Sequence, residues 1–256
     1  MPLDDRYQRL PFEAAIEFMA EKITLPSDSW RDFSNDEHDA VFMVAGAKGA
    51  VLSDLRTAVD SAIADGQRPE EFRDRFEAIT ADWDDMRGDA AWRSDTIYFT
   101  NLRAAYGRGR DQLQFAPEVV AAQPYVKYEH SDSRHPRPLH LALDGKIFRK
   151  DNVPFALPSG FGCSCRYTSL SDRDLERLGL EVSELQRGDT LPPVEVDGNI
   201  YRPVLEPAEG WDRMPNPNPQ QRREEILRRI ADRAVPEIGE QIINWLAQWL
   251  AAQTEA

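Results

Sequence analysis

The side chains best suited to chemistry sit in three short blocks near the middle of the chain. These are Ser131-Asp132-Ser133-Arg134-His135-Pro136-Arg137-Pro138-Leu139-His140, Leu143-Asp144-Gly145-Lys146 and Gly162-Cys163-Ser164-Cys165-Arg166. Two thiols separated by one residue can grip a soft or borderline ion such as zinc. The imidazole of His140 would be a third ligand, and His135, His130 or Asp132 a fourth. The usual zinc knuckle has two residues between its cysteines, so a plainer reading stands beside this one: two small strand residues next to a histidine packed on a turn. A zinc ion here would be structural, cross-linking a small, loop-rich unit. The same side chains admit two catalytic readings. Cys163 or Cys165 with His140 and Asp132 or Asp144 has the composition of a thiol triad, although no nucleophile elbow or protease signature surrounds it. His135 and His140 with Arg134 and Lys146 have the composition of a ribonuclease-like cluster.

Charge sets this stretch apart from its flanks. The chain has 256 residues with 31 basic and 45 acidic side chains, a net charge of −14. Divided by segment, the net is −10 over 1–120, +2 over 121–177 and −6 over 178–256. A protein that coats nucleic acid needs Lys and Arg in excess, so the whole chain does not read as one; only 121–177 offers a DNA contact. Two cysteines make no disulfide framework and suit a reducing compartment. The start, MPLDDRYQRLPFEAA, has no apolar h-region, so no signal peptide is expected. The longest apolar run, 242–252, is too short to span a bilayer and contains Asn244 and Gln248, so no membrane association is expected. No Gly-rich phosphate-cradling loop is present in the sequence.

The elements that must position these blocks emerge from periodicity. Residues 12–115 read as helices. Phe12, Ala15, Ile16, Met19 and Ile23 recur at helical spacing. Ser34 with Glu37 fits a capping box opening a long helix from Asp36 to about Ala64, with Gly46 and Gly49 as a break or a close helix contact inside it. Pro69 starts a third helix with a Phe72, Phe76, Ile79, Trp83 stripe, and a fourth runs from about Ala90 to Phe115. The period then changes. Tyr125–His130 alternates as a strand, Ile147-Phe148 and Arg166–Leu170 are further strands, Ser171 opens a short helix, and 194–205 reads as a hairpin turning at Asp197-Gly198. Four prolines in 207–219 mark a linker or extended arm. A last helix over 220–256 carries one apolar stripe, kinked at Pro236. Within it, Ile242, Trp245, Leu246, Trp249 and Leu250 read either as core of this chain or as an anchor in a partner's groove. The expected fold class is α+β: a helical region (1–120), a small α+β domain (121–206), a linker (207–219) and a C-terminal helix (220–256).

In this order the blocks resemble the phage Mu F-like minor head proteins, within the broader phage head morphogenesis family. The matching pieces are FEAAIEF, EHDAVFMVAGAKGAVLSDLRTAVDSAIADG, EEFRDRFEAI, DTIYFTNLRAAYGRGRDQLQ, YVKYEHSDSRHPRPLHLALDGKIF, LPSGFGCSCRYTSLSDRDLERLGL and GWDRMPNP, spread over residues 10–217. The resemblance implies a non-enzymatic minor capsid component, made in the bacterial host and carried in the virion in multiple copies at the portal vertex. Its implied partners are the portal protein and the major capsid protein, during head assembly and DNA packaging. It carries over His140, Cys163 and Cys165 as a polar cluster, with Asp132, Arg134, Asp144, Gly145 and Arg166 around it. The chain departs from the pattern at Leu157-Pro158-Ser159-Gly160, where relatives often have a double proline, and at Ser164, where Arg is usual. It has His135 and His140 where many relatives have a further cysteine pair. Two alternatives keep other functions open: a nuclease or toxin-like protein centred on His135 and His140, or an internal head protein that accompanies the genome.

Overall fold

The computed structural model describes residues 12–255, apart from 82, 84, 85, 87, 132, 134, 217 and 218. Its elements, in chain order, open with α1 (Glu13–Ala20), β1 (Ile23–Thr24), β2 (Val41–Phe42), α2 (Gly49–Ala64), α3 (Pro69–Thr80) and α4 (Ala90–Gln114). Then come α5 (Pro117–Ala122), β3 (Tyr125–Glu129), α6 (Pro138–Ala142), β4 (Ile147–Arg149), β5 (Arg166–Leu170) and α7 (Asp172–Leu178). The hairpin β6 (Val194–Val196) and β7 (Asn199–Tyr201) and the helices α8 (Pro219–Arg233) and α9 (Pro236–Glu255) complete the chain. Helices with sheets of two or three strands make this an α+β fold. Contacts divide it into two compact units, one formed by residues up to 109 and from 218 onward, the other by 110–217; the division falls inside α4.

In the first unit, α1 to α4 enclose a core built on Phe42, Leu55, Val59, Phe72, Phe76 and Ile97. The stripe on α3 forms over Phe72, Phe76 and Ile79, with Phe72 and Phe76 fully buried; α3 ends at Thr80, and Trp83 packs on the same core from beyond the helix. The helix expected from Asp36 to Ala64 does not form as one piece. Glu37–Asp39 is a single 3-10 turn, Val41–Phe42 pairs in parallel with Ile23–Thr24, and α2 begins only at Gly49. Two physical reasons account for the break. β-branched Ile23 and Val41 find each other as strands, which takes Ile23 out of the α1 stripe, and Gly46 and Gly49 adopt φ of +81° and +54°, a left-handed backbone that the interior of a helix cannot contain, so α2 can only start there. The Ser34–Glu37 signal is half realised: Glu37 Oε2 accepts the Ser34 amide at 2.7 Å, but the helix this contact opens is only the one 3-10 turn.

A second cluster of the same unit contains Ile23, Leu25, Ala40 and Val41 with Ile226, Leu227, Ile230, Ile242 and Leu246 of α8 and α9. The C-terminal stripe is therefore two helices rather than one kinked one. Pro236 has no N–H to continue α8 and instead opens α9, and the chain folds back so that both stripes face the same core. Charge fastens this hairpin. Glu37, 0% exposed, accepts Arg229 Nε at 3.2 Å and Arg233 Nη2 at 2.6 Å, while Asp36 Oδ2 accepts Arg229 Nη2 at 2.9 Å. Arg223, also buried, pairs with Glu21.

The second unit is organised by an antiparallel sheet of order β4-β3-β5. Its register sets Val126 opposite Phe148 and Tyr128 opposite Tyr167. Alternation along β3 turns Val126 and Tyr128 inward, as the Tyr125–His130 pattern predicts. Ser171 caps α7 with a complete capping box, and the β6–β7 hairpin turns at Asp197 and Gly198, both with positive φ. Residues 207–216 contain no helix or strand. They pack on this unit: Trp211 and Arg213 are buried, and the Arg213 carbonyl accepts the Ala156 amide at 2.7 Å.

Candidate functional site

Three segments of the second unit converge behind β3. Pro138 occupies the first turn of α6, where its missing N–H costs nothing, and the helix it opens carries His140 inward to 5% exposure. Residues 153–160 are buried without a break and lead into a turn closed by Cys163 N–H on Gly160 O. From there the backbone alternates: Cys163 and Cys165 point in and are buried, while Ser164 and Arg166 point out. The one-residue spacing of the thiols thus places both sulfurs on the same face as they enter β5.

His140 Nδ1 lies 3.7 Å from Cys163 Sγ and 3.5 Å from Cys165 Sγ, and its Nε2 lies 3.5 Å from Ser159 Oγ. The three donor atoms are all within 4.8 Å of one another. Tyr128 stands edge-on to His140 and to Tyr167, with ring centroids 6.5 and 5.8 Å away. The Tyr167 hydroxyl donates to Phe155 O at 2.8 Å, whereas the buried Tyr128 hydroxyl has no hydrogen-bond partner of normal geometry. The thiols polarise each other. A hydrogen bond from Cys165 outweighs burial and draws Cys163 down to about 6, and the same contact together with burial pushes Cys165 up to about 11. Burial, and then the two nearby sulfurs, push the Tyr128 phenol far above its usual range. Arg137, whose charge also favours the Cys163 thiolate, reaches across to donate to Phe161 O and holds the turn before the cysteines.

Three of the motif residues lie outside this buried cluster. Asp144, Gly145 and Arg166 line a surface cavity of about 480 Å³ together with Glu129, His130 and Ser164. Arg166 Nη2 pairs with Glu129 Oε2 at 2.7 Å and Lys127 with Glu129 Oε1 at 3.1 Å. Burial would raise the Glu129 carboxyl, but hydrogen bonds from Lys127 and Thr168 and the Arg166 charge hold it below the usual carboxylate range. Asp144 Oδ1 accepts the His130 amide at 2.8 Å, and Tyr128 O accepts the Gly145 amide at 2.9 Å. Gly145 has φ of +74°, so the Leu-Asp-Gly-Lys block is a turn that folds back on β3 before β4 begins. Asp132 and Arg134 lie outside the described residues.

The structure separates the two histidines of the nuclease-like reading. His140 is buried, while His135 has a side chain 84% exposed with Nδ1 3.5 Å from Asp197 Oδ2. His135 and His140 therefore do not share a pocket, and His130 lines the outer cavity instead. Of the C-terminal residues, Ile242 (0% exposed) and Leu246 (2%) belong to this chain's own core. Trp245, Trp249 and Leu250 are packed around it, the two indoles stacked at 6.2 Å. Sequence reasoning missed Tyr128, Ser159 and Arg137 as neighbours of the cluster. The alternation of β3 was the signal for Tyr128 and the paired prolines flanking Arg137 for α6; Ser159 had none.

Comparison with known proteins finds similarity over part of the chain. Residues 53–168 match the family described as "Phage Mu protein F like protein". The chain is 31% identical over 170 residues to the "Mu-like prophage FluMu F protein" of Haemophilus influenzae, covering 60% of this chain and 41% of that protein. It is 26% identical to the "Putative capsid assembly protein F" of Escherichia phage Mu, covering 93% of this chain and 62% of that one. The chain therefore spans less than two thirds of the length of either relative. No solved structure matches.

Proposed function

We propose, from the match of residues 53–168 to the family described as "Phage Mu protein F like protein", that this chain is a Mu F-like minor head component that acts at the portal vertex during head assembly and DNA packaging. The observation that carries this reading is the similarity along 93% of the chain to a relative whose name describes capsid assembly. The chemistry of the chain supports adhesion rather than catalysis. His140 and both thiols are closed inside a core with Tyr128, and His135 stands apart on an exposed loop facing Asp197. The mode of action is contact with the portal protein and with the major capsid protein, in multiple copies and within the virion. The net-positive stretch 121–177 is the part suited to meeting DNA as it passes.

The interface surface on α9 is narrower than the sequence stripe. Ile242 and Leu246 stabilise this chain, which leaves Trp245, Trp249 and Leu250 at the rim for a partner. The test is to co-express the full tagged chain with the portal and major capsid proteins of the same phage or prophage, and to quantify it in purified heads by mass spectrometry. Co-purification with the portal, and a copy number in heads far below that of the major capsid protein, is expected. Absence of the chain from heads at every stage of assembly would overturn the proposal.

A further inference from the structure

The buried thiol–imidazole cluster has the dimensions of a metal site. Around zinc, Zn–S of about 2.3 Å and Zn–N of about 2.05 Å at tetrahedral angles put sulfur and nitrogen about 3.6 Å apart. The two sulfurs lie 3.7 and 3.5 Å from His140 Nδ1, so the edges of a coordination tetrahedron already exist between side chains brought together from α6 and the approach to β5. We propose that His140 Nδ1, Cys163 Sγ and Cys165 Sγ bind a zinc-class divalent ion that staples α6 to the turn leading into β5.

Two features of the surroundings favour an ion over a hydrogen-bonded thiol cluster. The second ring nitrogen, Nε2, faces Ser159 Oγ, the arrangement in which an outer oxygen takes the N–H and leaves Nδ1 free to ligate. In addition, the donors sit within an apolar core containing Phe155, Leu157 and Leu143. Ligation would deprotonate both thiols, and the divalent ion would itself supply the charge that compensates two thiolates in such a core. Three protein donors leave one tetrahedral vertex for water. The Tyr128 hydroxyl is buried beside Cys165 and lacks a hydrogen-bond partner of normal geometry among the described residues.

The ion would also reinforce the turn that precedes the cysteines. The turn at 160–163 is exposed at Phe161 and Gly162 yet returns both cysteines to the interior, which an ion would fix at a single point. This proposal is independent of the head-assembly reading, since an ion could staple the unit whatever the chain contacts.

The experiment uses the full chain purified in the presence of zinc. Elemental analysis is expected to give one zinc per chain, and cobalt exchanged into the same protein should show a thiolate-to-cobalt charge-transfer band with the visible bands of a tetrahedral site. Both signals should fall at least tenfold in Cys163→Ser and His140→Gln and persist in Ser164→Ala and His135→Ala, whose side chains face outward. If the ligand variants do not fold, the wild-type chain still decides the matter. Its two cysteines are both in the site, so mass spectrometry should find them protected from alkylation with zinc and both modified after chelation. Absence of zinc and of the cobalt bands in the folded wild-type chain, or alkylation indifferent to zinc, would overturn the proposal.

Discussion

Replacing Glu37 by glutamine probes how the C-terminal hairpin is fastened. The carboxylate is 0% exposed, and its oxygens divide the donors: Oε1 takes Arg229 Nε at 3.2 Å, while Oε2 takes the Ser34 amide at 2.7 Å and Arg233 Nη2 at 2.6 Å. Glutamine has one acceptor oxygen and an NH₂ group. In its best orientation it keeps Ser34 and Arg233 and turns a donor toward Arg229. One charge-assisted hydrogen bond is then lost, at about 1.5–3 kcal/mol, and a second loses its charge. The guanidinium side chains are 50% and 46% exposed and can turn to water, which lowers the cost. The net loss is about 2 kcal/mol, or about 4–8 °C in Tm for a chain of this size. Five of the six tryptophans lie outside 110–217, so intrinsic fluorescence during urea unfolding reports chiefly on the unit that contains this contact. Arg228→Gln, which breaks an exposed i,i+4 pair with Glu224, is the control and should cost less than about 0.5 kcal/mol. A Glu37→Gln protein as stable as that control would refute the reasoning.

The same contacts set a pH dependence, and the turn beside the cluster sets a local one of strain. Burial alone would raise the Asp36 and Glu37 carboxyls, but for Asp36 the Arg229 contact, and for Glu37 the Ser34 amide with Arg233, hold them below the usual carboxylate range. With folded values depressed, their stabilisation is present above the unfolded range and is lost as pH falls through it and below. The fluorescence-monitored urea midpoint should therefore drop below about pH 4, and drop less in Glu37→Gln. Gly145→Val places a β-branched residue at φ of +74°, where a Cβ meets nothing within 4 Å, so the cost is backbone strain alone, about 1–2 kcal/mol. Hydrogen exchange at the residue 145 amide, which bonds to Tyr128 O, should accelerate by about tenfold or more; unchanged protection would show that the turn is not what fixes β3 against β4.

Periodicity made legible those elements whose signals are local. Phe72 and Phe76 on α3, the capped start of α7 and the Asp197-Gly198 hairpin lie where spacing and turn chemistry put them. It failed where a pairing is distant in sequence. Nothing near Val41 announces that it will pair with Ile23, and an apolar residue every three or four positions from Val41 to Val51 fits a helix equally well. The Pro236 signal was real, but a kink and a reversal share the same local cause. Only the core made of Ile23, Leu25 and Val41, waiting for both apolar stripes, selects the reversal. In the site, the cysteine alternation was readable because strand period alone puts both sulfurs on one face. Ser159 was not, because its role depends on the buried path of 153–160, which carries no periodic pattern.

The reversal also changes what a C-terminal truncation can mean. Removing everything after residue 218 deletes Ile226, Leu227, Ile230, Ile242 and Leu246, and leaves Ile23, Leu25 and Val41 facing water. It also strips Glu37 of both arginines, so a fully buried carboxylate loses the charges that compensate it. Failure of such a truncated chain to enter heads would report collapse of its own unit as readily as loss of a partner contact. A substitution that spares the core is informative where deletion is not. Leu250 lies half-buried at the rim of the hairpin, and its replacement by aspartate should leave the urea-derived stability within about 1 kcal/mol of wild type, because a partly exposed position retains access to water. If α9 docks on another head protein through this rim, Leu250→Asp lowers the copy number in heads at unchanged stability. If incorporation is also unchanged, the rim is not the interface, and contact falls to other exposed apolar groups such as Ile200 and Tyr201 on the β6–β7 hairpin.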